Sequence, residues 1–154
     1  MMVRDWLARL TAFAVTVQGR SMEPSVRDGA QLHAVRAGFA APIARGDVVV
    51  FWSPDDRHRL EFKRIIGLPG EDVFWIGGRM HVNGDPLDEP YIRPVSAPPG
   101  DDDISRCRRL RADEYFVAGD NRLHSRDSRA YGPVRRKAIL AKLPEPILGS
   151  HDHA

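Results

Sequence analysis

The chain has 154 residues, of which 42% are hydrophobic and 29% are charged, a composition typical of a single globular domain rather than of a disordered or fibrous protein. Its 23 basic and 21 acidic residues give a formal net charge of +2, and acidic and basic runs adjoin each other in residues 101–111. This mixture of signs argues against nucleic-acid binding, which needs a face of one sign. Only three of the basic residues are lysines, so few side chains can lose a proton and act as an amine base.

The N-terminus is apolar but short. The apolar run from Trp6 to Val17 covers 12 residues and is interrupted by Arg9, whereas a membrane-spanning helix needs about 20 residues. We predict a short amphipathic helix over residues 3–13. Residues 1–14 would then be this helix or the remnant of an anchor, lying at a lipid surface or packing as a cap on the domain formed by residues 15–154.

Eight short segments rich in β-branched or aromatic residues follow, each bounded by Gly, Pro, Asn or Asp, and they predict a mostly β protein of antiparallel sheets. The predicted strands are Val15–Gln18, Gln31–Val35, Asp47–Trp52, Leu60–Ile66, Asp72–Trp75, Arg79–Val82, Glu114–Ala118 and Ile139–Leu143.

Two glycine-containing pairs predict chain reversals between these strands. Gly77-Gly78 is typical of a hairpin turn, and Asn83-Gly84 indicates a second reversal directly after it. A proline-rich stretch with strand-like sequence on both sides follows. We therefore predict a small β-ribbon excursion, inserted at about residues 76–113.

Three clusters contain residue types that suit covalent catalysis. The first, Ser-Met-Glu-Pro-Ser, begins at Ser21 directly after a predicted strand. The second, Lys-Arg-Ile-Ile-Gly-Leu-Pro-Gly-Glu, begins at Lys63 inside a predicted strand. The third runs from Gly119 through Gly-Asp-Asn and Ser-Arg-Asp-Ser-Arg to Tyr-Gly-Pro-Val, which ends at Val134.

A serine hydroxyl needs a base to take its proton, and lysine is a base only when it is neutral. Burial favours the neutral amine, because an apolar environment solvates an ammonium poorly. Lys63 lies among apolar residues, whereas Lys137 follows two arginines and Lys142 lies near the proline-containing C-terminal end. Composition alone therefore favours Lys63 among the three.

At these three clusters the sequence resembles the type I signal peptidases, and the resemblance extends from about residue 15 to residue 143. It implies a signal-peptidase-like β-fold and a serine endopeptidase that removes signal peptides from exported preproteins, with small residues before the cut. It also implies a membrane surface as a partner, at the extracytoplasmic face of the plasma membrane, and no cofactor or metal. A soluble maturation peptidase of the same family, such as the one that trims nickel superoxide dismutase, would act on one dedicated substrate in the cytoplasm.

The resemblance assigns a role to each matching residue. Ser21 is the nucleophile, its backbone N–H is an oxyanion donor, and Lys63 is the general base. Ser125 bonds the lysine amine and orients it. A supporting network of ion pairs contains Asp120, Asp127 and Arg129. The position that carries a second oxyanion hydroxyl in some members is Gly19 here, which leaves the second donor open.

Other interpretations of the same residues are weaker. A Ser-His-Asp site with His58 or His124 as base lacks a nucleophile elbow, and a terminal His151-Asp-His153 is a poor metal site without further ligands. The lone Cys107 is a weak candidate for a nucleophile. A LexA-like self-cleaving repressor would need a DNA-binding unit before Ser21, and 20 residues do not provide one. A catalytically silent, peptide-binding relative would have no chemical reason to keep Ser21, Lys63 and Ser125 together.

Overall fold

The computed structural model describes residues 12–38, 42–92, 105–106 and 109–144. These residues form eleven strands: β1 (Ala12–Thr16), β2 (Gln31–Arg36), β3 (Val48–Trp52), β4 (Leu60–Gly67), β5 (Val73–Ile76), β6 (Arg79–Val82), β7 (Asp85–Pro86), β8 (Ser105–Arg106), β9 (Glu114–Ala118), β10 (Val134–Arg135) and β11 (Ile139–Lys142). One short helix, α1 (Ser128–Tyr131), and 3-10 turns at Arg122–His124 and Arg136–Ala138 complete the described elements.

The strands form two antiparallel sheets. The larger has the order β1-β2-β11-β3-β4-β9-β10 and the smaller has the order β7-β6-β5-β8. The predicted mostly β fold of antiparallel sheets is therefore confirmed. The smaller sheet contains the predicted ribbon, which starts with β5 at Val73, slightly before the predicted boundary.

The central strands β3 and β4 have buried side chains on both faces, as their nearly continuous apolar sequence favours. One face of β3 contributes Val48 and Val50 to a core with the Ser21 loop and β11. The other face contributes Val49 and Phe51 to a core with β9, β10 and β11. The charged residues of β4, Glu61, Lys63 and Arg64, are consequently buried.

The N-terminal prediction needs a correction. β1 spans Ala12–Thr16 rather than Val15–Gln18, so the last two residues of the helix predicted over 3–13 are in a strand. Five residue pairs with β2, from Ala12 opposite Val35 to Thr16 opposite Gln31, outweigh a weak helical periodicity there. The rest of the predicted helix lies outside the described residues, and the boundary placed after residue 14 falls within β1.

Both predicted reversals are present. Gly77 and Gly78 have φ of +56° and +80° between β5 and β6, and Asn83 and Gly84 have φ of +53° and +92° between β6 and β7. Positive φ at both central residues is the geometry of the two-residue hairpin turn that such pairs favour. The turns fold the ribbon back on itself.

Gly67, at the end of β4, allows the two sheets to approach closely. A Cβ at this position would lie 2.4 Å from Val73 Cγ2 and 2.9 Å from Leu110 Cδ1. Neighbouring apolar residues of both sheets, including Ile66, Met80 and Phe116, share one core. The ribbon is thereby packed against the strand that carries Lys63.

Candidate active site

Ser21 lies in the loop between β1 and β2. The loop turns tightly, with hydrogen bonds from Glu23 N to Arg20 O and from Val26 N to Met22 O, and it contains a cis Glu23–Pro24 bond. Met22 is 1% exposed and anchors the loop in the core below. The serine is therefore held in a tight loop with its side chain partly exposed.

Lys63 reaches this serine from the middle of β4. Its Nζ lies 2.9 Å from Ser21 Oγ, although the two residues are 42 positions apart in the chain. Lys63 is 5% exposed, and its cross-strand neighbour Val49 is fully buried. Burial lowers the pKa of Lys63, and the Glu61 and Asp127 charges oppose this lowering without cancelling it. A lysine with a lowered pKa next to a serine hydroxyl is an arrangement that can activate a nucleophile.

The loop after β9 packs onto the Ser21 loop through its backbone. Asn121 N donates to Ser21 O at 3.0 Å, and Asn121 Nδ2 donates to Arg20 O at 3.1 Å. Gly119 allows this approach, because a Cβ there would lie 2.4 Å from Ser21 O and 2.2 Å from Ser125 Oγ. Asn121 belongs to the third motif, but the sequence by itself does not indicate this docking role.

Asp120 forms a buried ion pair with Arg64, the residue that follows Lys63. Arg64 Nε and Nη2 lie 2.9 and 2.7 Å from the two carboxylate oxygens, and the side chains are 1% and 0% exposed. Arg64 also donates to Gly46 O and stacks on the Tyr91 ring, with 4.0 Å between its guanidinium carbon and the ring centroid. The pair ties the loop after β9 to β4.

Asp127 is the centre of a second network. Its carboxylate accepts hydrogen bonds from Gly119 N, from Ser125 Oγ at 2.7 Å and from Arg129 Nε at 2.9 Å. Burial by itself raises the pKa of Asp127, but the bonds from Arg129, Gly119 and Ser125 outweigh it and leave the pKa below its ordinary value. Asp127 is thus an anionic residue that fixes the loop carrying Ser125.

The six residue roles expected from sequence fall into three groups in space. Ser21 and Lys63 are in direct contact. Asp127 and Arg129 pair with each other, whereas Asp120 pairs with Arg64, which sequence analysis did not select. Ser125 donates to Asp127, and among the described residues no hydrogen bond joins Ser125 to Lys63. The backbone N–H of Ser21 has no hydrogen-bond acceptor within the described part of the chain.

A further acidic residue near the lysine was also missed. Glu61 is 8% exposed, and its Oε2 lies 3.8 Å from Lys63 Nζ. A carboxylate two positions before a strand lysine shares its face of the sheet, so the spacing was a usable signal.

The alternative bases lie elsewhere. His58 and His124 are exposed, and neither is hydrogen-bonded to Ser21. Cys107, His151 and His153 lie outside the described residues. Within the described ranges, no group of three or more His, Cys, Asp or Glu side chains is arranged to hold a metal, and no helix is long and apolar enough to cross a membrane.

Comparison with known proteins connects this geometry to one family. Residues 3–148 match the family model described as signal peptidase, peptidase S26. Signal peptidase I V of Bacillus subtilis is 34% identical over 139 residues, which cover 84% of this chain and 82% of the relative. Signal peptidase I of Bacillus caldolyticus is 34% identical over 146 residues, covering 88% and 79% of the two chains.

A solved structure agrees with the fold. The crystal structure of a signal peptidase I from Enterococcus faecalis matches with a TM-score of 0.58 and 30% sequence identity, covering 68% of this chain and 98% of that one.

The tight approach at Gly119 gives the first prediction. Gly119→Ala should lower turnover by roughly 100-fold, because the added Cβ must displace Ser125 or the Ser21 backbone. It should also destabilise the fold by about 1–3 kcal/mol through overpacking. Turnover of a preprotein and urea unfolding measure the two effects. Gly38→Ala is the matched control, since nothing lies within 4 Å of a Cβ at Gly38. Full activity of folded Gly119→Ala would contradict the prediction.

Proposed function

The chain belongs to the signal peptidase family, peptidase S26, and is a serine endopeptidase; we propose that it removes signal peptides from exported preproteins, with Ser21 as nucleophile and Lys63 as general base. The observation that supports these roles is the 2.9 Å contact between Lys63 Nζ and Ser21 Oγ, made by a lysine that is 5% exposed. Membership in the family supports the reaction, and this contact supports the proposed roles of the two residues.

Both proton transfers of the acylation step take place among Ser21, Lys63 and the substrate. Neutral Lys63 takes the proton of the Ser21 hydroxyl as Oγ forms a bond to the scissile carbonyl carbon, and the π electron pair moves onto the carbonyl oxygen. The ammonium of Lys63 then gives its proton to the amide nitrogen as the C–N bond breaks, which releases the mature protein with a free amine. The signal peptide remains as an ester on Ser21.

Deacylation repeats the sequence with water. Lys63 takes a proton from a water molecule whose oxygen attacks the ester carbonyl. The C–Oγ bond then breaks, and Ser21 recovers its proton from Lys63. The backbone N–H of Ser21, which has no acceptor among the described residues, is proposed to stabilise the oxyanion in both steps.

The remaining expected residues are proposed to support the dyad. Ser125 is proposed to orient Lys63, with its hydroxyl held 2.7 Å from Asp127 until substrate or a local rearrangement brings it to the amine. Asp120, Asp127 and Arg129 are proposed to fix the loop through their ion pairs. None of these three is expected to touch substrate.

One alternative concerns the substrate, and a second concerns the chemistry. A maturation peptidase would use the same dyad on one dedicated precursor in the cytoplasm, and a panel of preproteins cleaved without preference would oppose it. A silent peptide-binding relative would bind but not cut. The contact between a buried lysine and Ser21 favours a working peptidase over a silent one.

The first prediction for this mechanism concerns the dyad. Ser21→Ala and Lys63→Ala should each lower turnover by roughly 10⁴-fold or more while the fold persists, because either loss removes the activated nucleophile. Cleavage of a purified preprotein with an Ala-X-Ala site measures turnover, and circular dichroism checks the fold. Ser25→Ala in the same loop is the matched control and should retain most activity. Near-normal turnover by either dyad variant, once shown to be folded, would refute the mechanism.

The second prediction concerns pH. Neutral Lys63 is the active form, so the rate should rise with pH and level off above the pKa of Lys63. Since burial lowers this pKa below that of free lysine, the midpoint of the rise should lie below about pH 10.4. The dependence of kcat/KM on pH measures this rise. A profile that keeps rising until the pKa of free lysine would show that Lys63 is not perturbed in the way the structure indicates.

The third prediction concerns location. We propose that the protein acts at a membrane surface on the extracytoplasmic side, where the apolar Trp6, Leu7 and Leu10 would contact lipid beside Arg4 and Arg9. The full chain should co-sediment with anionic vesicles, and a version beginning at Ala12, which keeps β1 intact, should not. Equal binding by both, or binding by neither, would show that these residues are no anchor and would favour the cytoplasmic maturation peptidase.

A further inference from the structure

Glu61 lies two residues before Lys63 on β4, so both side chains project from the same face of the strand. Its cross-strand neighbour Phe51 and that of Lys63, Val49, are both fully buried. The carboxylate is therefore placed in an apolar environment beside the catalytic amine. Among the described acidic residues, only Glu61 forms an ion pair with Lys63.

Two other groups hold this carboxylate in place. Arg59 Nη2 lies 2.8 Å from Oε1, and the Tyr131 hydroxyl donates to Oε2 at 3.0 Å. Tyr131 comes from α1 in the loop after β9, so the interaction joins β4 to the third motif. Oε2, which accepts from Tyr131, is also the oxygen that lies 3.8 Å from Lys63 Nζ. The carboxylate is thus close to the lysine but does not form a hydrogen bond with it.

Resting on the function proposed above, we propose that Glu61 is a positioning residue of the catalytic unit, which stabilises the ammonium that Lys63 forms when it takes the Ser21 proton. Arg59 and Tyr131 hold the carboxylate close enough to stabilise this ammonium but too far away to form a hydrogen bond with the lysine.

The charges facing the amine make this role possible. Glu61 and Asp127 favour the ammonium, and Arg59 and burial disfavour it; the net effect is that the pKa of Lys63 stays below its ordinary value. At any given pH the neutral base is therefore more populated than in a free lysine, and a carboxylate lies beside the nitrogen on which the positive charge forms. The aspartate of a Ser-His-Asp triad stabilises its imidazolium in the same way.

Tyr131 contributes a hydrogen bond but no charge of its own. Burial, together with the Glu61 charge, raises the pKa of Tyr131, so its hydroxyl stays protonated over the pH range of the assay. Arg126 also faces this end of the site and is affected by the Glu61 charge. It pairs with Asp55 on the surface, with its side chain 63% exposed, so solvent screens it from the lysine.

The test is the pH profile of kcat/KM for Glu61→Gln, which keeps the shape of the side chain, removes its charge and replaces one acceptor oxygen with an NH2 group. The rising limb of the profile, over which Lys63 loses its proton, should move to lower pH by about one unit, because the ammonium loses its partner. The plateau should fall about threefold, because the amine becomes a weaker base. The two profiles should therefore cross, with the variant about threefold faster than wild type on the acidic limb.

Two further variants separate this role from a purely structural one. Glu114→Gln makes the same chemical change at a strand glutamate that is 3% exposed and bonded to Arg111 N, and it should leave the limb unmoved. Tyr131→Phe leaves all charges intact but removes the hydrogen bond to Glu61 Oε2, so the carboxylate charge acts more strongly on the lysine. Its limb should move to higher pH, opposite to that of Glu61→Gln.

The outcomes are distinct from those of the dyad variants. Activity in folded Lys63→Ala would overturn the proposed function and the role of Glu61 with it. An inactive Lys63→Ala, with a limb that stays in place in Glu61→Gln, would overturn the role of Glu61 alone. A uniform loss of rate at every pH would show that Glu61 is only structural. Should Glu61→Gln fail to fold, Tyr131→Phe decides: a shift to higher pH supports the proposal, and an unchanged limb overturns it.

Discussion

An amine in a protein interior loses its proton more easily than one in water, because the interior solvates an ammonium poorly. Lys63 is under this constraint, since it lies in the middle of β4 with fully buried Val49 opposite it. Among the described residues, its amine has one short polar contact, with Ser21 Oγ. β3 and β4 therefore bury the amine, and the Ser21 loop brings the hydroxyl to it. Without that burial the pKa of the lysine would stay at its ordinary value, and less of the neutral amine would be present at any given pH.

Arg64, the next residue on β4, shows why the two basic side chains are treated differently. An arginine cannot lose its proton, so a buried one needs a full counter-charge. Arg64 has it in Asp120, at 2.7 and 2.9 Å, and the pair ties the loop after β9 to β4. A lysine can become neutral and needs no such partner. Alternation along the strand thus places a permanently charged, ion-paired guanidinium on one face and, on the other, the amine that we propose as the base.

The sequence allowed some of this to be predicted, and the reasons differ from feature to feature. β3 and β9 are runs of β-branched and aromatic residues between turn residues, and their predicted bounds differ from those observed by at most one residue. β1 was misplaced because its position depends on pairing with β2, a contact between distant residues that local periodicity does not contain. The Ser21–Lys63 contact was expected from motifs, but the pairing of Ser125 with Asp127 instead of the lysine was not. Glu61 was overlooked because a strand glutamate is usually solvated, and only the packing of Phe51 and Tyr131 shows that this one is buried.

If Lys63 is the general base, as we propose, its distance from Glu61 meets two opposing requirements of such a base. A carboxylate hydrogen-bonded directly to the amine would hold the proton on nitrogen and leave little of the neutral form to attack the serine proton. An amine with no carboxylate nearby would be neutral but weakly basic, since the ammonium formed in the transition state would be buried without a partner. At 3.8 Å, with one oxygen bonded to Arg59 and the other to Tyr131, the carboxylate is partly neutralised before the reaction begins. Its residual field is small enough for burial to keep the pKa of Lys63 below the ordinary value and is still directed at the atom on which the positive charge will form.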